Sequence, residues 1–234
     1  SVPLGNSKRT ARHENLISMP ESTDTLIKRL EQHLVKYQNE RYAQRFTQAV
    51  ARIRETEKER GFSGHILTEA VARNLAKLMS YKDEYEVARL YTDPAYLDKL
   101  REQFEGEPGR DYALHVHLAP PAFSKKDKKG HLIKKKYGPW VMKAFAVLAH
   151  LKPLRGTAFD PFGRTEERRA ERTLVEEYFA LLDEIVQSLN DSNYDTAVEL
   201  ARLPDDIRGY GHIKEANMQK AAAPRAQLLQ TYRR

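Results

Sequence analysis

The 234-residue chain contains no cysteine. Disulfides, thiolate zinc sites, thiol nucleophiles and cysteine-ligated iron-sulfur clusters are therefore excluded from it, and the absence accords with a reducing, cytoplasmic origin. No apolar run approaches the roughly 18 consecutive residues of a membrane span, and no charged n-region followed by an apolar h-region opens the chain. No membrane partner is expected. The first residue is Ser1 rather than a methionine, so the chain reads as a segment of a longer polypeptide. Apolar residues are also in short supply, at 40% against 31% charged, with a mean hydropathy of −0.72. Such a balance suits amphipathic helices with wide solvated faces better than a buried parallel sheet. The length still suffices for a sizeable core.

What the chain does have is basic charge in one place. Residues Ser124 to Tyr137 hold seven lysines and one aspartate, a local charge of +6 within an overall +7. The remaining 220 residues carry 33 basic and 32 acidic side chains, so the isoelectric point near 9.4 comes essentially from this one cluster. Lys125, Lys126, Lys128, Lys129, Lys134, Lys135 and Lys136 are the candidate docking residues, because clustered ammonium groups project a field over about 8 Å at physiological salt. A mobile, solubilising loop is the plain alternative. Nucleic acid is the disfavoured ligand, since arginine and interleaved aromatics other than Tyr137 are missing.

The patterning predicts a mainly α-helical, multi-helix fold with one small antiparallel β ribbon around residues 112–137. Residues 1–22 lack periodicity and read as an arm or linker, and 23–234 as a single helical accessory domain. Ser22 or Thr23 caps a helix carrying Leu26, Leu30, Leu34 and Tyr37, and Ala43, Phe46, Val50 and Ile53 continue the stripe to Gly61, as one kinked helix or two in series. Further helices are expected over 65–81, 84–91 and from Pro94 behind Thr92-Asp93. Tyr112, Leu114, Val116 and Leu118 alternate with Ala113, His115, His117 and Ala119 as a strand does, and the ribbon's tip is placed at 127–130. Trp140 to Leu151 is apolar on nearly every side and is expected to be central. Thr165–Leu189, Asn193–Leu203 and His212–Gln230 complete the set, with Pro224 kinking or dividing the last.

No catalytic, cofactor-binding or metal-binding residue is assigned. His115 and His117 lie two apart, with Asp111 and His131 nearby in sequence, but no third ligand completes a metal pattern, and they are expected to be ordinary strand histidines. Gly209-Tyr210-Gly211-His212 before a helix could receive an anion but is better read as a tight turn, and His212 with Glu215 as first-turn capping. In the loop Arg155–Gly163, Asp160 could serve as a base and Arg155 as an anion clamp; the preferred reading is a structural plug with Phe159 and Phe162 buried. The charge run Thr165–Arg172 is expected to be a solvated helix face, with Glu167 and Glu171 pairing locally with Arg168, Arg169 or Arg172. An enzyme centred on His115, His117 and Asp160, and an independent basic helical module binding polyanions through Lys125–Lys136, are the rival functional classes.

Several strings together, LMSYKDEYEVARLYTDPAYLDKL, YALHVHLAPP, KKKYGPW, LRGTAFDPFGRTEERRAER and LARLPDDIRGYGHIKEAN, resemble the C-terminal helical domain of the fused indolepyruvate ferredoxin oxidoreductases, over roughly Leu26 to Leu228. The resemblance implies a parent enzyme that oxidatively decarboxylates aryl 2-oxoacids to acyl-CoA with thiamine diphosphate and iron-sulfur clusters and passes electrons to ferredoxin. It places the thiamine site, the clusters and the oxoacid site on other domains and carries no catalytic residue onto this chain. The expected partners are those other domains, with ferredoxin as a candidate.

Overall fold

The computed structural model describes residues 21–104, 115–118, 135–207 and 212–234. The mainly helical expectation holds. Helix α1 (Thr23–Tyr37) starts where the Ser22 hydroxyl accepts the Thr25 N–H and buries Leu26, Leu34 and Tyr37. Asn39 then settles the choice between one kinked helix and two. Its side-chain oxygen accepts the Tyr42 N–H at 2.8 Å and opens a new helix, α2 (Glu40–Glu59). Gly61, at φ +82°, turns the chain away in the left-handed region that glycine enters without steric cost.

Helix α3 (Ile66–Met79) is the central helix. It buries Leu67, Val71, Leu75 and Met79 together with Ala70, Ala72 and Ala76, and it touches α1, α2, α7 (Glu166–Ser188) and α8 (Tyr194–Arg202). Small residues at the shared faces let these neighbours approach from several sides. Its start is held from outside. His65, in the left-handed region at φ +57°, supplies no side-chain cap. The fully buried carboxylate of Glu57, on the last turn of α2, instead accepts the N–H groups of Leu67 (3.0 Å) and Thr68 (3.2 Å), the Thr68 hydroxyl and the Tyr194 hydroxyl at 2.6 Å. The Tyr194 ring stacks on Phe62 at 3.9 Å.

A second, smaller apolar cluster forms between α4 (Glu84–Thr92), the ribbon and α6 (Trp140–His150), around Ala88, Val116, Val141 and Phe145. Helix α5 (Pro94–Gln103) begins at Pro94 with Asp93 accepting the Ala95 N–H. The ribbon pairs β1 (Val116–Leu118) with β2 (Lys135–Tyr137) antiparallel, Val116 opposite Tyr137 and Leu118 opposite Lys135. The tip expected at 127–130 lies outside the described residues. Helix α6 departs from the expectation of a central position. Only Val141 and Phe145 are buried, whereas Trp140 is 61% and Val147 64% exposed. An all-round apolar sequence says that a helix tolerates burial, not how many neighbours reach it; α6 packs chiefly against α4. Helix α9 (His212–Tyr232) runs unbroken through Pro224 and buries Tyr232 beside Ile185 and Ser188. Among the described residues no helix is long and apolar enough to cross a membrane.

Burial, and then the hydrogen bond to the Glu57 carboxylate, push the Tyr194 hydroxyl up to about 12. The folded state thus holds this proton more tightly than the unfolded chain does. Its stabilising contribution is complete below the ordinary tyrosine value of about 10 and is lost as pH rises through about 12. Urea titrations from about pH 9 to about pH 12 are expected to show a steeper loss of midpoint for the wild type than for Tyr194→Phe. Identical slopes would mean that this phenol does not govern alkaline stability.

Candidate functional site

The densest polar constellation gathers where the end of α1, the turn into α4, the loop before α7 and the start of α7 meet. At its centre is Arg155, whose side chain is 5% exposed. Its Nε and Nη2 donate to the two oxygens of Asp83, and Nη1 donates at 2.7 Å to both the Tyr37 carbonyl and the Gln38 side-chain oxygen. The guanidinium lies 3.7 Å from the centre of the Tyr37 ring. Asp83 has a second duty, since its Oδ1 accepts the Glu86 N–H and caps α4. Burial works against the Arg155 charge, but the bonds to Asp83 and the neighbouring tyrosines outweigh it and raise the guanidinium above its ordinary value. The guanidinium therefore keeps its charge over any physiological pH.

Asp160 organises the loop that follows. Its carboxylate, 4% exposed, accepts the Gly156 N–H at 2.8 Å, the Phe162 N–H at 3.1 Å and the Tyr85 hydroxyl at 3.1 Å. Burial, then the adjacent Asp160 charge, push the Tyr85 hydroxyl well above the tyrosine range. Gly163 is required here because a Cβ would collide with the Asp160 carboxylate. The Gly163 carbonyl in turn accepts from Arg172 at 2.6 Å. Both groups considered for chemistry, Asp160 as a base and Arg155 as an anion clamp, are thus consumed by structural bonds.

The plug reading of this loop, with both aromatics buried, is met in part by Phe162, which is half-buried, and not by Phe159. Phe162 packs edge-on against Tyr85 with ring centres 5.4 Å apart, but Phe159 is 82% exposed. The bonds to Asp160 hold Asp160 and Phe162 inward and leave Phe159 on the outer side of the turn. The charge run also departs from a solvated face, because Arg168 and Glu171 are buried. Thr165 caps α7 by accepting the Arg168 N–H, and the Arg168 side chain crosses to Glu84 at 3.5 Å, with Glu167 at 4.0 Å. Burial raises the Glu84 carboxyl even though Arg168 opposes the shift. Glu84 Oε2 and Arg168 Nε and Nη1 make no hydrogen bond among the described residues. Asp83, buried, and Glu84, half-buried at the start of α4, are the counter-charges of Arg155 and Arg168.

The remaining candidates are scattered. His115 is exposed beside β1, and His117 is in β1 opposite Lys136. Among the described residues no group of three or more His, Cys, Asp or Glu is placed to hold a metal. Lys135 and Lys136 are exposed on β2, whereas Lys125, Lys126, Lys128, Lys129 and Lys134 lie outside the described residues, as do Asp111, His131 and Gly209–Gly211. His212 and Glu215 open α9, and their side chains are outside the described ones. An apolar groove of about 390 Å³ runs between α7, α8 and α9, lined by Leu174, Tyr178, Leu203 and Met218 and bounded by the Arg225–Glu177 ion pair.

The chain belongs to a family of unknown function, DUF6537, whose model matches residues 23–227. No curated protein and no solved structure matches it.

Removing one partner of a buried, hydrogen-bonded ion pair typically costs about 3–5 kcal/mol. Asp83→Ala is expected to lose that much in chemical denaturation. Phe162→Ala should lose more than about 1 kcal/mol with its edge-on contact, whereas Phe159→Ala should stay within about 0.5 kcal/mol. A large loss at Phe159 or a negligible one at Asp83 would overturn this account of the loop.

Proposed function

We propose that the chain is the C-terminal helical accessory domain of an indolepyruvate, or related 2-oxoacid, ferredoxin oxidoreductase. In this reading it serves domain assembly or the docking of ferredoxin. The observation that carries the proposal is the resemblance of its loop and helix-start strings to that domain, over a span close to the helical region opening at Thr23. The two strings SYKDEYEVARLY and LRGTAFDPFGRTEERRAER, distant in sequence, also meet in one place through Arg155–Asp83, Tyr85–Asp160 and Arg168–Glu84. Residues engaged in this way build a domain, which supports an accessory role. The parent's oxidative decarboxylation, with its thiamine diphosphate and iron-sulfur clusters, belongs to other domains in this reading; a chain without cysteine offers no ligand for such clusters.

Ferredoxins are typically acidic, and a surface carrying clustered lysines accelerates encounter with an acidic partner in a salt-dependent way. In the full-length parent, replacing Lys128, Lys129, Lys134 and Lys135 with serine is expected to raise the apparent KM for ferredoxin several-fold at low ionic strength. The difference should shrink as salt is added. Unchanged values at both ionic strengths would remove the docking role. Tight binding of the isolated chain to duplex or single-stranded nucleic acid, abolished by the same replacements, would instead favour a polyanion-binding module.

A further inference from the structure

Helix α6 carries two apolar faces, and the fold uses one. Val141 and Phe145 point into the smaller cluster, with Tyr91 stacked on Phe145 at 5.4 Å and Leu148 partly buried beside them. Trp140, Ala144, Val147 and Leu151 point away and are exposed. At about 100° per residue their spacing of four, three and four keeps them within an arc of roughly 60°, in a stripe about 16 Å long. The Tyr137 ring meets Trp140 edge-on, with centres 6.0 Å apart, and so joins the stripe to β2.

The charged side chains that β2 and α6 themselves carry beside the stripe have one sign. Lys135 and Lys136 are exposed on β2, and Lys143 is exposed on the flank of α6 opposite its buried face. From Lys128 to Phe159 the chain contains no aspartate or glutamate. A second copy of the chain would bring these lysines against lysines, and juxtaposed like charges are disfavoured. An interfacial membrane helix needs a broad apolar face, whereas the other side of α6 is occupied by α4. A tryptophan and aliphatic centre with cations at the rim is the composition of a lasting protein interface. A transient encounter would rely mainly on the charges.

We infer that the outer face of α6, with Lys135, Lys136 and Lys143, is the surface by which this domain seats on another domain of its parent polypeptide, against an apolar patch rimmed by acidic side chains. The inference rests on the accessory-domain reading and gives it a location. Steering of a soluble acidic partner belongs to the lysine cluster; permanent seating belongs to the stripe.

The absence of cysteine makes the test direct. His150→Cys places one thiol at the edge of the stripe for an environment-sensitive fluorophore, and the labelled chain is titrated with the remaining polypeptide of the parent, produced without this domain. A saturable blue shift is expected. Unlabelled wild-type chain should compete it away, and Val147→Asp should compete at least about tenfold less well. Lys135→Glu/Lys136→Glu/Lys143→Glu should compete poorly at low salt and better as salt is raised. Circular dichroism and urea midpoints check that the variants are folded, and Val147→Ser serves if the aspartate variant is not. No shift, or equal competition by the Val147 variants, would overturn the inference. So would a shift produced by phosphatidylserine vesicles, by duplex DNA or by self-association with none from the remaining polypeptide. Whether that polypeptide reduces ferredoxin at the expense of indolepyruvate is assayed separately. Activity without binding removes the seating surface and leaves the family reading; binding without activity does the reverse.

Discussion

The buried Arg155–Asp83 pair is the constraint on which the arrangement of this chain depends. Taking a guanidinium and a carboxylate out of water costs several kcal/mol per ion, and mutual attraction offsets this only when the remaining hydrogen-bonding capacity is also used. Here it is used. Asp83 receives Nε and Nη2 of Arg155 and the first-turn N–H of α4, while Nη1 closes the carbonyl end of α1. One side chain therefore fixes the end of α1, the start of α4 and the loop leading to α7 relative to one another. Those elements carry both apolar clusters, since α1 and α7 contribute to the larger and α4 to the smaller.

This arrangement explains why some features are legible in the sequence and others are not. Most helix boundaries are readable because their causes are local: Ser22, Asp93 and Thr165 cap with their own side chains, and Gly61 turns in the left-handed region, whereas the break that Asn39 caps stays open in the sequence as a kink or two helices. The position of a helix in the stack is not local. The apolar pattern of α6 suggested the centre, yet the centre went to α3, whose alanines permit close approach by four other helices. Periodicity reports which faces are apolar; it does not say which of them find partners.

The candidate site shows the same division at the level of single residues. Asp160, Arg155 and the aromatics of the loop were identifiable as unusual, but their roles depend on Asp83, Tyr85 and Tyr37, about 70 to 120 positions away. Without that geometry Phe159 and Phe162 were equivalent, and only the inward bonds of Asp160 separate them. The charge run TEERRAER likewise looked like a solvated face because its counter-charge, Glu84, lies on another helix. A buried arginine is invisible in sequence until its distant acid is known.

The buried polar groups around Arg155 and Asp160 are engaged with one another, so their chemistry is spent on holding the loop. The outer face of α6, with the exposed Lys135 and Lys136 beside it, is not engaged in that way. These two features act over different ranges. In the proposed docking role the field of the lysines, reaching about a Debye length, would govern how a partner arrives, and the Trp140–Leu151 stripe, acting on contact, how long it stays. Their adjacency through Tyr137 and Trp140 puts attraction and retention on one side of the molecule, next to α4 and the residues that Arg155 locks in place. On that proposal the buried ion pair would act beyond stability, since a rigid mount behind a docking surface limits the conformational freedom lost on association.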